Sequence, residues 1–461
     1  MPHRLHRRQF LRSSAAFGAG FLILGRDPNR AFGQSPNDRV AIACIGVGGK
    51  GSSDTDHAAA CGQVVALCDI DDRRLKQKAE QYPDAKTFHD YRELLDALGD
   101  TLDAVVVSTP DHTHAAASID AMKRGKHVYC QKPLAHSPFE ARAMLEAARA
   151  HGVQTQMGNQ GTASDGFRTG VELIRSGALG PVREVHVWTN RPFKYWKQAP
   201  DLVARPEETP PVPEHVHWDL FVGPAPMRPY HPVYHPHDWR GWWDFGTGSL
   251  GDMACHTANL PFMGLMLGYP TRVSAVSGAI NPETYPAWAT ITYEFPARGE
   301  LPPVKLTWYE GAKDGERNLP DPALFRGRTA VDSGSLLVGE ALTLYSPSDY
   351  GMEQELWPTR ADDANDTAIA LEIPRTLERL GGEDDRDLNN KREWVRAIVD
   401  GGPSPLSNFD YAAVLTESML LGNVAVRLGE AIDYDAEAMT VPGRPEADRL
   451  IRPTYREGWS L

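Results

Sequence analysis

Asp252 and His256 lie four residues apart in Gly246-Thr247-Gly248-Ser249-Leu250-Gly251-Asp252-Met253-Ala254-Cys255-His256. On a helix that spacing puts both side chains on one face. A neutral imidazole accepts a proton near pH 7, and a carboxylate beside it orients the ring and stabilises the imidazolium. The same spacing also fits a helix-start aspartate beside a hydrogen-bonded core histidine, or two ligands of a metal. Lys132 follows an apolar run in Cys130-Gln131-Lys132-Pro133. Partly desolvated beside a cofactor, it would stabilise a developing alkoxide and bind a sugar hydroxyl; otherwise it is a solvated loop lysine. Taking hydrogen from a secondary alcohol needs a nicotinamide against the carbinol C–H and a group that takes the hydroxyl proton.

The element that would hold such a cofactor begins at Val40. Val40-Ala41-Ile42-Ala43-Cys44-Ile45 reads as a buried strand and runs into Gly46-Val47-Gly48-Gly49-Lys50-Gly51. The first glycine of a G-x-G-x-x-G turn leaves the strand sharply, the second admits a diphosphate and the third lets the next helix pack on the sheet. Gly46, Gly48, Gly49, Lys50 and Gly51 are therefore expected at the phosphates, against the helix N-terminus. An isolated match of this kind is also what an ordinary tight turn looks like. Here a second apolar strand, Val64-Val65-Ala66-Leu67-Cys68, ends at Asp69, placed to accept the adenosine ribose hydroxyls. A carboxylate there repels a 2′-phosphate, so NAD is favoured over NADP, a preference that nearby Arg73 and Arg74 moderate.

From Arg39 to Met157 apolar strand runs alternate with helical patterns, with helices over 71–82, 91–98, 112–124 and 137–150. Continuous apolar strands alternating with helices predict an α/β fold with a doubly wound parallel sheet covered on both faces. Ser108-Thr109-Pro110-Asp111-His112-Thr113-His114 and Cys130-Gln131-Lys132-Pro133 then fall at its C-terminal edge, with Thr109, Pro110, Asp111, His114, Gln131 and Lys132 beside the cofactor. Past Gly158 strand-like runs recur without regular helices, which predicts a second α/β domain built on a large, mostly antiparallel open sheet. Residues 190–245, dense in Pro, Trp, Tyr and His, read as the cover of a binding cleft. Residues 311–330 and 350–388 read as polar surface insertions. The expected division is a leader at 1–33, a dinucleotide domain at 34–157 and a substrate domain at 158–461, whose final helices over 391–429 pack back.

The leader carries Arg7-Arg8-Gln9-Phe10-Leu11-Arg12, a mildly apolar run from Ala15 to Leu24, and small residues at Ala31 and Gly33. This is a twin-arginine signal pattern, and its apolar run is about half the ~20 residues of a spanning helix. Export, with a periplasmic destination and no membrane span, is the expectation. The formal net charge is −13, and the leader holds six Arg and one Asp, a surplus of five positive charges, so the remainder stands at −18. That disfavours nucleic acid and anionic membrane as partners. The five scattered cysteines form no C-x-x-C pair, so neither a zinc site nor a disulfide framework is indicated, and no metal is expected.

The glycine turn, the Thr109-Pro110-Asp111-His112-Thr113-His114 loop, Lys132-Pro133 after Gly125-Lys126-His127-Val128, and Gly251-Asp252 with His256 occur in this order. Together the set resembles the Gfo/Idh/MocA oxidoreductase family over nearly the whole chain past the leader. It is similar to the exported branch in Gln156-Met157-Gly158-Asn159-Gln160-Gly161, Trp218-Asp219-Leu220-Phe221-Val222-Gly223-Pro224 and Trp239-Arg240-Gly241-Trp242-Trp243. The resemblance implies a Rossmann domain followed by an α/β domain whose open sheet carries the substrate pocket and often an oligomer interface. It implies that Lys132 contacts substrate and nicotinamide, that His256 accepts the proton and that Asp252 assists. Two positions depart from the family pattern. Gln131 replaces a glutamate, removing a charge that would hold Lys132 protonated, and Asp111 replaces a frequent asparagine on the nicotinamide side. Asn159, Arg191, Trp239, Arg240 and Trp242 are candidates for the substrate pocket, since aromatic faces stack on sugars and Arg or Asn binds hydroxyls; each fits core packing equally.

The expected activity is oxidation of a secondary hydroxyl of a sugar, glycoside or polyol, with NAD kept bound because an exported enzyme meets little free cofactor. The same residues suit a redox-neutral NAD-dependent glycoside hydrolase working through a keto sugar. A non-catalytic NAD- or sugar-binding protein is the third possibility, which Gln131 keeps open. A homo-oligomer through the C-terminal sheet is expected.

Overall fold

The computed structural model describes residues 39–360, 369–380 and 385–461; the leader at 1–33 lies outside them. The described residues open with β1 (Ala41–Ile45), α1 (Lys50–Cys61), β2 (Gln63–Cys68), α2 (Asp72–Gln81), β3 (Lys86–Phe88), α3 (Tyr91–Leu98) and β4 (Ala104–Val107). α4 (His114–Lys123), β5 (His127–Cys130), α5 (Pro138–His151) and β6 (Thr155–Met157) complete the first sheet and its helices. The strands run parallel in the order β3-β2-β1-β4-β5-β6. Every residue of β4 is buried, which is why its sequence is continuously apolar and does not alternate. The strand order switches from one side of β1 to the other between β1 and β4, and the crevice outside the carboxyl ends of a doubly wound sheet opens there. Local signals fix the helices: Asp71 and Asp90 cap α2 and α3, and Ser137 with Glu140 forms a capping box on α5 behind Pro138.

α6 (Asp165–Arg175) leads into the second domain with β7 (Val182–Trp188), α7 (Trp218–Val222), α8 (Gly248–Thr257) and α9 (Asn259–Gly264). There follow β8 (Arg272–Ser277), β9 (Trp288–Phe295), β10 (Val304–Lys313), β11 (Glu316–Arg317), β12 (Gly334–Gly339), β13 (Leu342–Ser346) and β14 (Glu355–Pro358). α10 (Arg386–Asp400), α11 (Phe409–Leu428), β15 (Ile432–Asp433) and α12 (Pro445–Ile451) close the chain. The sheet order is β14-β13-β12-β7-β10-β9-β8-β15, antiparallel except for the β7–β10 pair, with β11 folding back on β10. The fold class is thus α/β with a parallel and a mostly antiparallel sheet.

Two stretches depart from their reading as surface insertions. Within 311–330, Phe325 is 2% exposed and packs edge-on against Trp188 at 5.3 Å. Within 350–388, β14 extends the sheet and buries Leu356 and Trp357. Among the described residues of each stretch only one or two large apolar side chains are buried, amid polar neighbours, too sparse to register as a period.

α10 is bolted to α1 by a buried charge. Asp54, fully buried on α1, accepts from Lys391 Nζ at 2.6 Å and Lys50 Nζ at 2.7 Å through Oδ1, and from Ser108 Oγ and Gln131 Nε2 through Oδ2. Burial alone would raise this carboxyl, but Lys391 and Lys50 outweigh it and hold it at about 2. A depressed carboxyl contributes stability that is complete above its unfolded value of about 3.9 and is lost as pH falls through about 2. Removing Lys391 leaves the buried carboxylate only partly compensated by Lys50, so Lys391→Met is expected to lower unfolding free energy by about 3 kcal/mol, the lower end of the cost of breaking a buried pair. Guanidinium denaturation read by tryptophan fluorescence checks it; an unchanged midpoint would remove the pair from the account.

Candidate active site

The loops leaving β1, β2, β4 and β5 and the second half of α8 converge on one cavity of about 550 Å³. At one end lies the glycine turn. Gly46 has φ +79, and a Cβ there would stand 2.8 Å from the Ser108 carbonyl carbon, so only glycine turns out of β1 against β4. A methyl at Gly51 would overlap the Gly46 carbonyl oxygen, which is how α1 seats on the turn. Gly51 accordingly packs behind the cavity, whereas Gly46, Gly48, Gly49 and Lys50 line it. No side chain caps α1, in contrast to α2 and α3. Lys50 is tied to Asp54 and to Asp387, at 2.7 and 2.8 Å, and Arg74 lies against Gly48, adding positive charge beside the turn. Asp69 accepts from Val47 N–H and Gly48 N–H through Oδ2 at 2.8 and 3.1 Å and still faces the cavity. It therefore organises the glycine turn as well as standing where a ribose would lie.

At the other end Lys132 Nζ donates to Asp252 Oδ1 at 2.5 Å and to the Asp252 carbonyl at 3.0 Å. Asp252 also has Arg240 Nε at 3.4 Å and Arg191 Nε at 3.9 Å. Burial would raise its carboxyl, but Lys132 and Arg240 outweigh burial and hold it far below the usual range. The Asp252 carboxylate holds Lys132 and, among the described residues, makes no hydrogen bond to the His256 ring, so the expectation that it orients that ring directly is corrected, while its charge still favours the imidazolium. One turn along α8, His256 is 4% exposed, lies edge-on to Tyr350 at 4.8 Å and has no hydrogen-bond partner on Nδ1 among the described residues. Burial, and next the charge of Lys132, push its pKa well below the ordinary value, so the imidazole is held neutral at pH 7.

Gln131 does not leave Lys132 unsupported. Its amide donates to Asp54 Oδ2 at 2.8 Å, so a charge lies one layer deeper, while Lys132 takes its own carboxylate from α8. Asp111 is fully buried and stands outside the cavity wall. It accepts from Arg240 Nη1 at 2.9 Å and from Thr247 N–H and Oγ1 at 3.1 and 2.6 Å, anchoring the arginine and the start of α8. The charges therefore alternate as Asp111, Arg240, Asp252, Lys132. His114 is also withdrawn from the cavity: its ring nitrogens meet the Pro133 and Thr109 carbonyls at 2.9 and 2.8 Å, pinning the two cofactor-side loops together. Thr109, Pro110, Gln131 and Lys132 do line it.

Among the substrate candidates, Arg191, Trp239 and Arg240 reach the cavity, and Asn159 and Trp242 do not. Asn159 is fully buried, bonded to Ser407 and the Cys255 carbonyl. Trp242 is fully buried in an aromatic cluster, edge-on to Tyr234 at 4.7 Å. Tyr195, Trp196, Tyr350 and Trp459 line the cavity without having been singled out. The density of aromatics over 190–245 pointed to the first two, but no local signal marked Tyr350 or the C-terminal Trp459.

The cavity fits a dinucleotide. Buried polar atoms without a hydrogen bond among the described residues include Thr109 Oγ1, Gln160 Oε1, Arg191 Nε and His256 Nδ1, all on residues that line it. A ligand in the cavity would supply partners for these four atoms. If Asp69 holds the ribose, Asp69→Asn, which keeps an acceptor for the turn but loses the charge, should weaken NAD about tenfold and narrow its advantage over NADP, the smaller end of the value of a charged hydrogen bond. Calorimetric titration with both dinucleotides checks it; unchanged affinities would take the ribose away from Asp69.

A doubly wound dinucleotide domain whose sheet edge faces a catalytic-type lysine and imidazole, closed by a second α/β domain, defines a two-domain nicotinamide-dependent oxidoreductase. The chain belongs to the Gfo/Idh/MocA oxidoreductase family: residues 40–159 match its NAD-binding Rossmann fold and 168–300 its C-terminal alpha/beta domain. Over 150 residues it is 34% identical to inositol 2-dehydrogenase of Burkholderia multivorans, a match spanning 31% of this chain and 44% of that relative. The shared stretch is thus less than half of the relative's length. Levoglucosan dehydrogenase in complex with NADH has the same fold, with a TM-score of 0.58 at 16% identity over 86% of this chain and 98% of that one. So has the aldose-aldose oxidoreductase of Caulobacter crescentus complexed with glycerol, with a TM-score of 0.56 at 18% identity over 86% of this chain and 99% of that one. No helix among the described residues is long and apolar enough to cross a membrane.

Proposed function

We propose that this protein oxidises a secondary hydroxyl of a sugar, glycoside or polyol with a tightly held NAD. The observation that carries the reading is the joining, in one cavity, of the glycine turn and Asp69 at one end with the Asp252-held Lys132 and the neutral His256 at the other. NAD, when bound, supplies the hydride acceptor. His256 takes the hydroxyl proton, and Lys132, positioned by Asp252, donates a hydrogen bond to the alkoxide as it forms. Arg191 and Arg240 bind neighbouring hydroxyls, and Tyr195, Trp196 and Trp239 offer apolar faces to a sugar ring. The names of the family relatives, which act on inositol or aldoses, support this substrate class.

The twin-arginine pattern at Arg7-Arg8 supports export after folding, with the cofactor loaded beforehand, and periplasmic work with an internally recycled NAD. The open antiparallel sheet is the proposed face of a homo-oligomer. The purified protein, without added NAD, is to be incubated with a panel of glycosides and free sugars. Paired oxidised and reduced sugars are the expected products. Released aglycone with no net oxidation would instead assign redox-neutral glycoside cleavage to the same residues, and no product from any member would remove the catalytic reading.

A further inference from the structure

Outside the cavity floor, three side chains from separate segments converge at its rim: Asp72 at the start of α2, His89 after β3, and His217 before α7. Their backbones are locked together. His217 N–H donates to the Ile70 carbonyl and Asp72 N–H to the His215 carbonyl, both at 2.9 Å, so the 213–217 segment is bridged to the stretch following Asp69. His89 Nδ1 lies 3.0 Å from the Asp69 carbonyl, an acceptor only, so that nitrogen carries a hydrogen and Nε2 is the ring atom available to a ligand. His89 Nε2 lies 3.5 Å from Asp72 Oδ1, and His217 Nε2 is 3.1 Å from the same oxygen. The two imidazoles lie nearly parallel with centroids 4.0 Å apart.

A proton bridges 3.5 Å poorly. A tetrahedral ion with bonds of 2.0–2.1 Å sets its ligand atoms about 3.3–3.4 Å apart, and the observed separations of 3.1 and 3.5 Å straddle that spacing. We propose that His89 Nε2, His217 Nε2 and Asp72 Oδ1 form a divalent transition-metal site. Two imidazoles with one carboxylate favour Zn²⁺ over the oxygen-seeking Mg²⁺ and Ca²⁺. The side chains are 39–48% exposed, which leaves a path for the ion and a fourth position for water. His89 holds its tautomer through the Asp69 carbonyl, the usual outer partner of a ligating histidine. The ion would clasp the aromatic segment 190–245 to the cavity wall beside Asp69. Calling that wall the ribose end rests on the proposed function; the metal site itself does not. It departs from the absence of metal expected from the cysteines because its ligands are distant in sequence and include none.

The test is titration of the full, tag-free, chelator-treated protein with Co²⁺ and Zn²⁺, without dinucleotide. One equivalent is expected to bind at micromolar concentration, Co²⁺ giving a visible tetrahedral spectrum that Zn²⁺ abolishes. His217→Ala and Asp72→Asn should each weaken binding by at least the ~100-fold that losing even an outer partner can cost, and His237→Ala on the same segment should not. Circular dichroism of the metal-free variants shows which of them is folded and therefore counts. Absence of saturable binding in the wild type, or unchanged binding in a folded ligand variant, overturns the site. Either result leaves the dinucleotide reading to its own test.

Discussion

Lys132→Ala is expected to lower kcat by about 10²–10³-fold, the usual cost of removing one donor that meets a developing oxyanion. The loss should fall mainly on kcat, because the lysine's task is the charge that appears at the substrate oxygen as its proton leaves. The fold should tolerate the change, since Asp252 keeps Arg240 at 3.4 Å and Arg191 at 3.9 Å. Affinity for NAD should stay within a few-fold, because Lys50, Arg74 and Asp69 stand at the opposite end of the cavity. Asp252→Asn should reproduce part of the defect by loosening Lys132, and the double variant should be far from additive, as for two groups acting as a unit. Steady-state kinetics on the best sugar of the panel decides; turnover within threefold of wild type would remove Lys132 from the chemistry.

The second large effect belongs to His256. Replacement by alanine removes the proton acceptor and should cost about 10²–10⁴-fold in kcat/KM. The pH profile separates this from mere loss of packing against Tyr350. A base must be unprotonated to act, so activity rises with pH through its pKa. Burial and the neighbouring Lys132 lower that pKa, so the wild-type acid limb should lie below the ordinary histidine value of about 6.5, with activity level from there to neutrality. In His256→Ala the residual rate should lack that limb. A limb that persists unchanged in the variant would assign the titration to another group.

The first domain was legible because its physics is local. β1, β2 and β4 are buried on both faces and read as unbroken apolar runs, and the turn between β1 and α1 needs glycine for steric reasons visible in spacing alone. Lys132 and His256 were legible through motif order. What the sequence hid was partnership. The i,i+4 spacing of Asp252 and His256 suggested that the carboxylate serves the imidazole, yet it turns to a lysine 120 residues away. Asp111, His114, Asn159 and Trp242 lie in the right loops, but their polar atoms or rings are consumed by neighbours that only the tertiary fold supplies. Tyr350 and Trp459 reach the cavity from stretches without periodicity, so nothing local announced them. The Asp54–Lys391 pair joins residues 337 positions apart for the same reason.

The most direct measurement is the crystal structure of the protein purified with NAD and soaked with a sugar that it turns over. The account places the diphosphate over Gly48 and Gly49, the ribose at Asp69, and the nicotinamide with the sugar carbinol between Lys132 and His256, reacting atoms about 3–3.5 Å apart. A dinucleotide bound elsewhere, or one whose nicotinamide points away from those two side chains, would contradict it.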